Sequence, residues 1–324
     1  MEQDISAEPK TLADAIKHFA DPEVCLLTMV KLRWKDGVTC PSCGHKNPRW
    51  MPVQRRWECK LKHPKRQFSA KTGTIFEDSP LGLDKWFTAV WLIANCKNGI
   101  SSYELHRSIG VTQKTAWFML HRIRLAMQNG SFVKSGGPGA EFEADETFIG
   151  GKSKNMSTTR RAKSIPGSGV AGKQVVMGVL RRGSKDEPSK AVVAHVKNRK
   201  KATVQASVRA TAEVGSSLYT DALKSYAGLA GDYVHEVVDH AVEYVNGSVH
   251  TNGMENFWSL FKRALKGTYV SVEPSHLDAY VQEQTFRFNE RKSNDSSRFK
   301  AVLSSVTGRR LTYDDLTGHT PAKA

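Results

Sequence analysis

Three acids stand apart from the other carboxylates of this chain by where they fall. Asp145 lies inside the strand-like run EFEADETFI at 141–149, Asp221 closes a later short strand after Leu218 and Tyr219, and Glu255 opens a helix. A carboxylate in a strand interior is costly to bury unless it is paired or liganded. Three that converge would make an all-oxygen site for Mg(II). Two such ions activate a water or a 3′-hydroxyl and stabilise the leaving oxygen of an in-line displacement at phosphorus.

The helix that carries Glu255 reads NGMENFWSLFKRALKGTY from Asn252. Phe257, Leu260, Phe261, Ala264 and Leu265 recur at three- and four-residue intervals and form its buried stripe. Glu255, Ser259, Lys262 and Lys266 fall within about 40° of one line on the other side, at 100° per residue. A carboxylate beside two ammonium groups suits a place where metal and phosphate meet. Asn-Gly-Met-Glu also fits an N-cap followed by Glu at the third position, so Glu255 has a purely structural reading as a helix cap. Glu143, Glu146 and Asp239 are spare acids nearby. Strand alternation sends Glu146 to the sheet face opposite Asp145 and excludes it from the site, whereas Glu143 shares the face of Asp145 about 7 Å away and is expected beside the site or in solvent. Asp239, at the end of a strand, is the substitute for Asp221.

A second constellation is soft. Cys40-x2-Cys43 and Cys59-x3-His63 are separated by a spacing compatible with one tetrahedral Zn(II). A segment this short has little core of its own, so the metal would supply folding free energy. His45 is the alternative fourth ligand, and Cys25 and Cys96 sit in apolar helical contexts as small core residues. Arg55, Arg56, Lys60, Lys62, Lys65 and Arg66 crowd the second half of this module, as in a binder of phosphate backbones.

The elements that must position these groups follow from the rest of the chain. Its 324 residues leave room for two or three domains, and 13 Phe, 8 Tyr and 7 Trp suffice to fill their cores. The formal charge of +16 is spread over several segments and points to a polyanion, most simply nucleic acid. No apolar run is long enough to span a membrane, the first ten residues are acidic and polar, and the expected setting is the cytosol, where the five cysteines stay reduced. Residues 1–36 are a helical lead-in with Phe19, Leu26, Leu27, Met29 and Val30 as core contacts. Residues 37–80 form the zinc-ribbon-like module. Residues 81–134 begin with a mostly buried helix at 84–97 and continue as two helices joined at Gly110-Val111, with Thr112 as N-cap. That is a helix-turn-helix layout with Leu105, Ile109, Val111, Ala116 and Leu120 as core, and with Lys114, His121, Arg122 and Arg124 against DNA.

Past the linker SGGPG at 135–139 the texture becomes strand-rich. Runs at 141–149, 175–180 and 191–196 read as strands, followed by a helix after Thr203, a short strand at Leu218-Tyr219 with a loop and helix, a strand at 233–240, and the helix of Glu255. This α/β order occupies residues 140–292. The basic, Gly- and Ser-rich stretch 151–173 has no hydrophobic period and reads as a flexible loop adding non-specific affinity for DNA. Residues 293–324 are a tail with Phe299, Leu303 and Leu311 as anchors.

EADETFIGGK, YTDALKSY and VHTNGMENFWSLFKRALKGTY resemble the three signature blocks of DDE transposases of bacterial insertion sequences, in the group with an N-terminal zinc ribbon. The similarity runs from the ribbon, including RQFSAKTGTIFEDSPL at 66–81, to RFNER at residue 291. It implies an α/β ribonuclease-H-like catalytic domain, a mixed central sheet flanked by helices, with Asp145, Asp221 and Glu255 as ligands of Mg(II) or Mn(II). By the same resemblance His250, Asn252, Lys262 and Arg263 orient the site or hold phosphates. The substrates implied are double-stranded element ends and target DNA, cut and joined by a homo-oligomer in a bacterial cytoplasm, on the nucleoid. One departure is local: the second half of such ribbons often reads C-x2-C, and here it is Cys59-x3-His63. Two rival functions use many of the same residues. A DNA-binding regulator needs the ribbon and helix pair but not the three acids, and a hydrolytic nuclease or resolvase shares every residue and differs only in strand joining.

Overall fold

In this computed structural model, residues 8–128, 134–151, 172–238 and 249–318 are described, and they fall into two compact units. The first unit takes the chain up to residue 128 and from 293 onward; the second is 129–292.

In the first unit, α1 (Leu12–His18) and α2 (Pro22–Arg33) begin at Thr11 and Asp21, whose side chains accept hydrogen bonds from the otherwise orphaned amides of Asp14 and Glu23. A three-stranded antiparallel ribbon follows, β1 (Arg49–Met51), β2 (Arg56–Glu58) and β3 (Gln67–Phe68). Its small apolar face is aromatic: buried Trp57 lies 4.5 Å from Trp50, 5.5 Å from Trp34 and 5.9 Å from Phe68, centroid to centroid. Helix α3 (Leu83–Asn95) buries Trp86, Phe87, Ala89, Val90, Trp91, Ile93 and Ala94, so it is covered nearly all round. Helix α4 (Ser102–Ile109) starts with a Ser101–Glu104 capping box and ends at Gly110, whose φ of 64° is left-handed; Thr112 then caps α5 (Gln113–Met127) by accepting from the Thr115 amide.

The second unit is a mixed sheet with helices on both faces. Its strands are β4 (Glu141–Ile149), β5 (Gln174–Arg181), β6 (Lys190–Val196), β7 (Ser217–Asp221) and β8 (Val234–Val238), in the spatial order β8-β7-β4-β5-β6. β4, β5 and β6 form an antiparallel meander, whereas β7 and β8 run parallel to β4 on its other side. Helix α6 (Lys201–Thr211) packs Val204 and Val208 on Phe142, Ala144, Met177 and Val179. Helices α7 (Asn252–Ala264) and α8 (Leu277–Asn289) cover the opposite face, where Met254, Phe257, Trp258, Phe261, Leu277 and Val281 meet Val176, Leu180 and Val193. The period-2 alternation of β4 and β5 is what divides these two cores. After β7 the chain makes two short 3-10 turns, Lys224–Tyr226 and Leu229–Gly231, in place of the expected helix.

Residues 293–318 are not a tail. Helices α9 (Asp295–Ser304) and α10 (Tyr313–Thr317) return to the first unit, where Phe299 lies 5.3 Å from Phe19 and Trp91 and 5.8 Å from Phe87. This return corrects the assignment of Arg122 to DNA. Arg122 is 4% exposed; its guanidinium donates to the carbonyls of Glu77 (2.7 Å) and Leu311 (3.0 Å) and lies 4.8 Å from the Phe118 ring centre. His121 and Arg124 are buried as well, so the basic face expected on α5 is largely inward. Asp239 and residues 152–171 of the basic loop lie outside the described residues. No helix among the described residues is long and apolar enough to cross a membrane.

Candidate active site and metal centres

The parallel pairing of β4 with β7 sets Ala144 opposite Thr220, which makes Asp145 and Asp221 neighbours where β7 stops. Oxygen atoms of Asp145, Glu146 and Asp221 all lie within 4.8 Å of one another. The inclusion of Glu146 corrects its exclusion by strand alternation. Alternation holds, since Glu146 accepts from the hydroxyl of buried Tyr226, on the α6 side, at 3.1 Å. But β7 ends at Asp221, so on that side of β4 no strand among the described residues walls the two faces apart beyond that point, and adjacent side chains of β4 reach round the edge to one place.

Burial pushes the Asp145 carboxyl up to about 6; the negative charges of Asp221 and Glu255 add to this, and hydrogen bonds from the Trp258 indole and the Glu146 amide oppose it. Burial, then the charges of Asp221 and Asp145, push Glu146 up to about 7. Half-buried carboxylates that repel one another in this way form a hard, anionic donor set that fits a divalent cation held by oxygen.

Glu255 sits on the exposed side of α7, one turn before Trp258, whose Nε1 donates to Asp145 Oδ2 at 2.8 Å. Its charge acts on Asp145, but its oxygens lie outside the group of three. A carboxylate at the rim keeps its hydration, and joining three like charges costs repulsion that a cation offsets. Glu255 also stands one position past the third residue of its helix, where a capping box would need it. Thr251 is the N-cap and makes no side-chain cap bond; the amide of Met254 is capped instead by the carboxylate of Glu143, at 2.9 Å. Glu143, left open by the sequence between the site's edge and solvent, is 1% exposed. His250 lies just before α7, in contact with Arg182, whose Nη2 reaches His250 Nδ1 at 2.8 Å. A guanidinium only donates, so Nδ1 is the acceptor and the ring proton sits on Nε2. Asn252 is exposed in the first turn of α7, and Lys262 and Arg263 are exposed in its last turn.

The soft constellation is brought together too. Cys40 Sγ and Cys43 Sγ each lie 3.5 Å from His63 Nε2, and Cys43 Sγ lies 3.6 Å from Cys59 Sγ. Edges of roughly 3.6–3.8 Å are what a tetrahedron of sulfur and nitrogen around Zn(II) requires, given metal–ligand bonds of about 2.0–2.3 Å. His63 Nδ1 lies 2.7 Å from the Pro64 carbonyl, a bond that places the proton on Nδ1 and leaves Nε2 for a metal. Burial pushes the Cys40 thiol up, yet hydrogen bonds from the amides of Ser42 and Cys43 and from the Cys43 and Cys59 side chains together bring it down to about 7. His45 is not part of this group; its carbonyl accepts from the Cys40 amide at 2.9 Å.

Comparison with known proteins places the three acids and the three cysteines in matched domains, while His63 lies two residues past the end of the ribbon match. Residues 137–289 match the ISXO2-like transposase domain, and residues 20–61 match a transposase zinc-ribbon domain. By these two domains the chain belongs to the ISXO2-like transposases. It is also 28% identical over 306 residues, 90% of this chain and 99% of the other, to an uncharacterized protein in transposable element ISH50 of Halobacterium salinarum. That relative is archaeal, so the bacterial setting of the resemblance is not carried over.

For a transposase, cations that can meet DNA matter next. Among those expected to do so, Arg55, Arg56, Lys65 and Lys114 are exposed. Arg55 pairs with Glu23 at 2.8 Å, Arg66 donates to the Cys59 carbonyl at 3.1 Å, and Lys114 lies 4.5 Å from the Tyr313 ring centre. Sequence reasoning missed Arg182. It follows β5 in the string RRGSKDE, where nothing separates it from a solvated arginine.

Proposed function

We propose that this transposase binds the ends of its own insertion sequence and catalyses metal-dependent cleavage and strand transfer, with Asp145, Asp221 and Glu255 as the metal-binding acids. The observation that carries the reading is the meeting of Asp145 and Asp221 at the end of β7, inside the ISXO2-like transposase domain. A mixed sheet with the Asp145 strand at its centre and helices on both faces supports reading the domain as ribonuclease-H-like. Mg(II) or Mn(II), when bound, would supply Lewis-acid activation of the attacking water or 3′-hydroxyl and charge neutralisation at the leaving oxygen. Asp145 and Asp221 would hold that ion from the sheet, and Glu255 would join them from α7. Glu146, protonated more readily than an ordinary glutamate, offers a further oxygen or a proton at the same place. Lys262 and Arg263 on the exposed turn of α7 give the DNA backbone a cationic rest, and the zinc ribbon with the helix pair α4–α5 binds the element ends. Two ends must be held together for joining, so the working form is a homo-oligomer on DNA.

The test is an assay on duplexes carrying the flanking ends, with Mg(II), scored separately for end binding, 3′ cleavage and strand transfer. Asp145→Ala, Asp221→Ala and Glu255→Gln are each expected to abolish cleavage while leaving end binding within about threefold. Full cleavage by any one of them removes that residue from the set. Cleavage without joining on the same DNA turns the reading to a hydrolytic nuclease.

A further inference from the structure

Beside the acids lies a second, partly buried polar cluster, built around a residue that none of the roles above uses. Arg182 is its hub. Its Nε donates to Glu143 Oε1 at 2.8 Å, its Nη2 donates to the His250 carbonyl at 2.7 Å, its Nη1 lies 3.4 Å from Glu141 Oε2, and its guanidinium lies 4.2 Å from the Tyr219 ring centre. Tyr219 in turn donates to Glu141 Oε1 at 2.9 Å. The contacts are spread over three pieces of chain, each of which leads into one acid. Glu141 and Glu143 precede Asp145 on β4, Tyr219 precedes Asp221 on β7, and His250 precedes the helix of Glu255.

We infer that Arg182 and Glu143 are positioning residues that lock the three acid-bearing segments into one register, a reading that rests on Asp145, Asp221 and Glu255 being the metal-binding acids. Glu143 supplies the coupling between sheet and helix. One oxygen accepts from Arg182 and the other caps α7 at Met254, one residue before Glu255. A carboxylate at a helix N-terminus is favoured by the helix dipole, and burial beside a guanidinium strengthens both bonds. Gly253 is the complement of this cap, since a Cβ there would stand 2.8 Å from Glu143 Oε2. Glu143 is buried and Arg182 mostly so, their side chains 2% and 14% exposed, and the clamp acts without touching DNA. Its effect is on where Glu255 is presented relative to Asp145 and Asp221, and hence on the affinity for the divalent ion.

The experiment measures Mn(II) binding by the full-length protein directly, by calorimetry, alongside the Mg(II) dependence of cleavage, in Arg182→Met, Arg182→Lys and Glu143→Gln. Loss of such outer support typically costs about 10–100-fold in metal affinity. In Arg182→Met, Mn(II) affinity and the Mg(II) concentration for half-maximal cleavage are expected to shift by at least about tenfold, with the rate at saturating Mg(II) largely recovered. Arg182→Lys keeps the charge but not the fork, so it falls between. Glu143→Gln is expected to speed hydrogen exchange at the Met254 amide selectively. A folded Arg182→Lys or Glu143→Gln protein with unaltered Mn(II) affinity and Mg(II) dependence overturns the clamp. So does a loss of rate that saturating Mg(II) does not restore. Asp145→Asn serves as the separate control: if it leaves Mn(II) binding intact, the site assignment fails, whatever the clamp variants do.

Discussion

Trp258 Nε1 donates a hydrogen bond to Asp145 Oδ2 at 2.8 Å, across the interface between α7 and β4. The bond links the helix of Glu255 to the strand of Asp145 and holds the aspartate's ionised form against the pull of burial. Trp258→Phe keeps most of the apolar volume and deletes the donor. Asp145 is then expected to titrate above its present value of about 6, which moves the acid limb of the cleavage–pH profile upward and slows cleavage near pH 7 by roughly three- to tenfold. Thermal stability falls by about 1 kcal/mol from the lost hydrogen bond, with a further loss from the smaller ring. An acid limb that does not move in a folded W258F protein would sink this role for the indole.

Gly178 makes that bond possible. It pairs with Asp145 in the β4–β5 register, and a Cβ there would stand 2.2 Å from Met254 Cε and 3.1 Å from the Trp258 ring. Gly178→Val is expected to lift α7 from the sheet, costing about 1–3 kcal/mol in chemical denaturation and a larger fraction of cleavage than of end binding. Equal losses in the two activities would show that the helix had not moved.

Raised carboxylates make stability fall with pH. Asp145 and Glu146 titrate at about 6 and 7 in the fold, against ordinary values of 3.8 and 4.5. Between about pH 4 and pH 7 the unfolded chain therefore binds fewer protons than the folded one, and their contribution is lost as the pH rises through that window. A divalent cation opposes the loss. The expected result is a rise in Tm on adding Mg(II), of the order of a few degrees at pH 7.5 and close to zero at pH 5. Glu146→Gln is expected to shrink the pH dependence, and an equal Mg(II) effect at both pH values would contradict it.

The ribbon should live or die with its metal. Cys43→Ser and His63→Ala are each expected to lose close to one equivalent of zinc by metal analysis and hydrogen-exchange protection over residues 38–68, and to weaken end binding at least about tenfold. Cys96→Ser should keep the zinc. Retention of zinc by His63→Ala would reassign the fourth ligand.

Arg122→Ala tests the burial of a cation that the sequence placed on DNA. Two carbonyls lose a buried donor, so a destabilisation of about 2–4 kcal/mol is expected, with the DNA affinity of the folded protein nearly unchanged. Lys114→Ala, at an exposed position, should show the reverse.

What could be read in advance was whatever depends on neighbours along the chain. The Cys40, Cys43, Cys59 and His63 spacing, the Gly110 turn between α4 and α5, and the strand carrying Asp145 all rest on local rules of ligand spacing, capping and period. Glu146 shows where such rules stop: alternation assigned it correctly to the other face, but only the length of β7 decides whether the two faces remain separate at that point. Glu143 lies between these cases, its face legible and its capping of a helix 111 positions away not.

The sequence by itself determined the chemistry available: hard acids on strand ends and a helix, a soft set in a ribbon, and a basic chain to meet a polyanion. Tertiary structure alone decided who meets whom. It turned Arg122 inward beneath a returning C-terminal segment, put Arg182 at the junction of three acid-bearing segments, and brought Glu143 to cap the helix of Glu255. The reason is physical. Periodicity and spacing report on turns of one helix or steps along one strand, whereas burial and pairing of charges depend on which distant surfaces cover them.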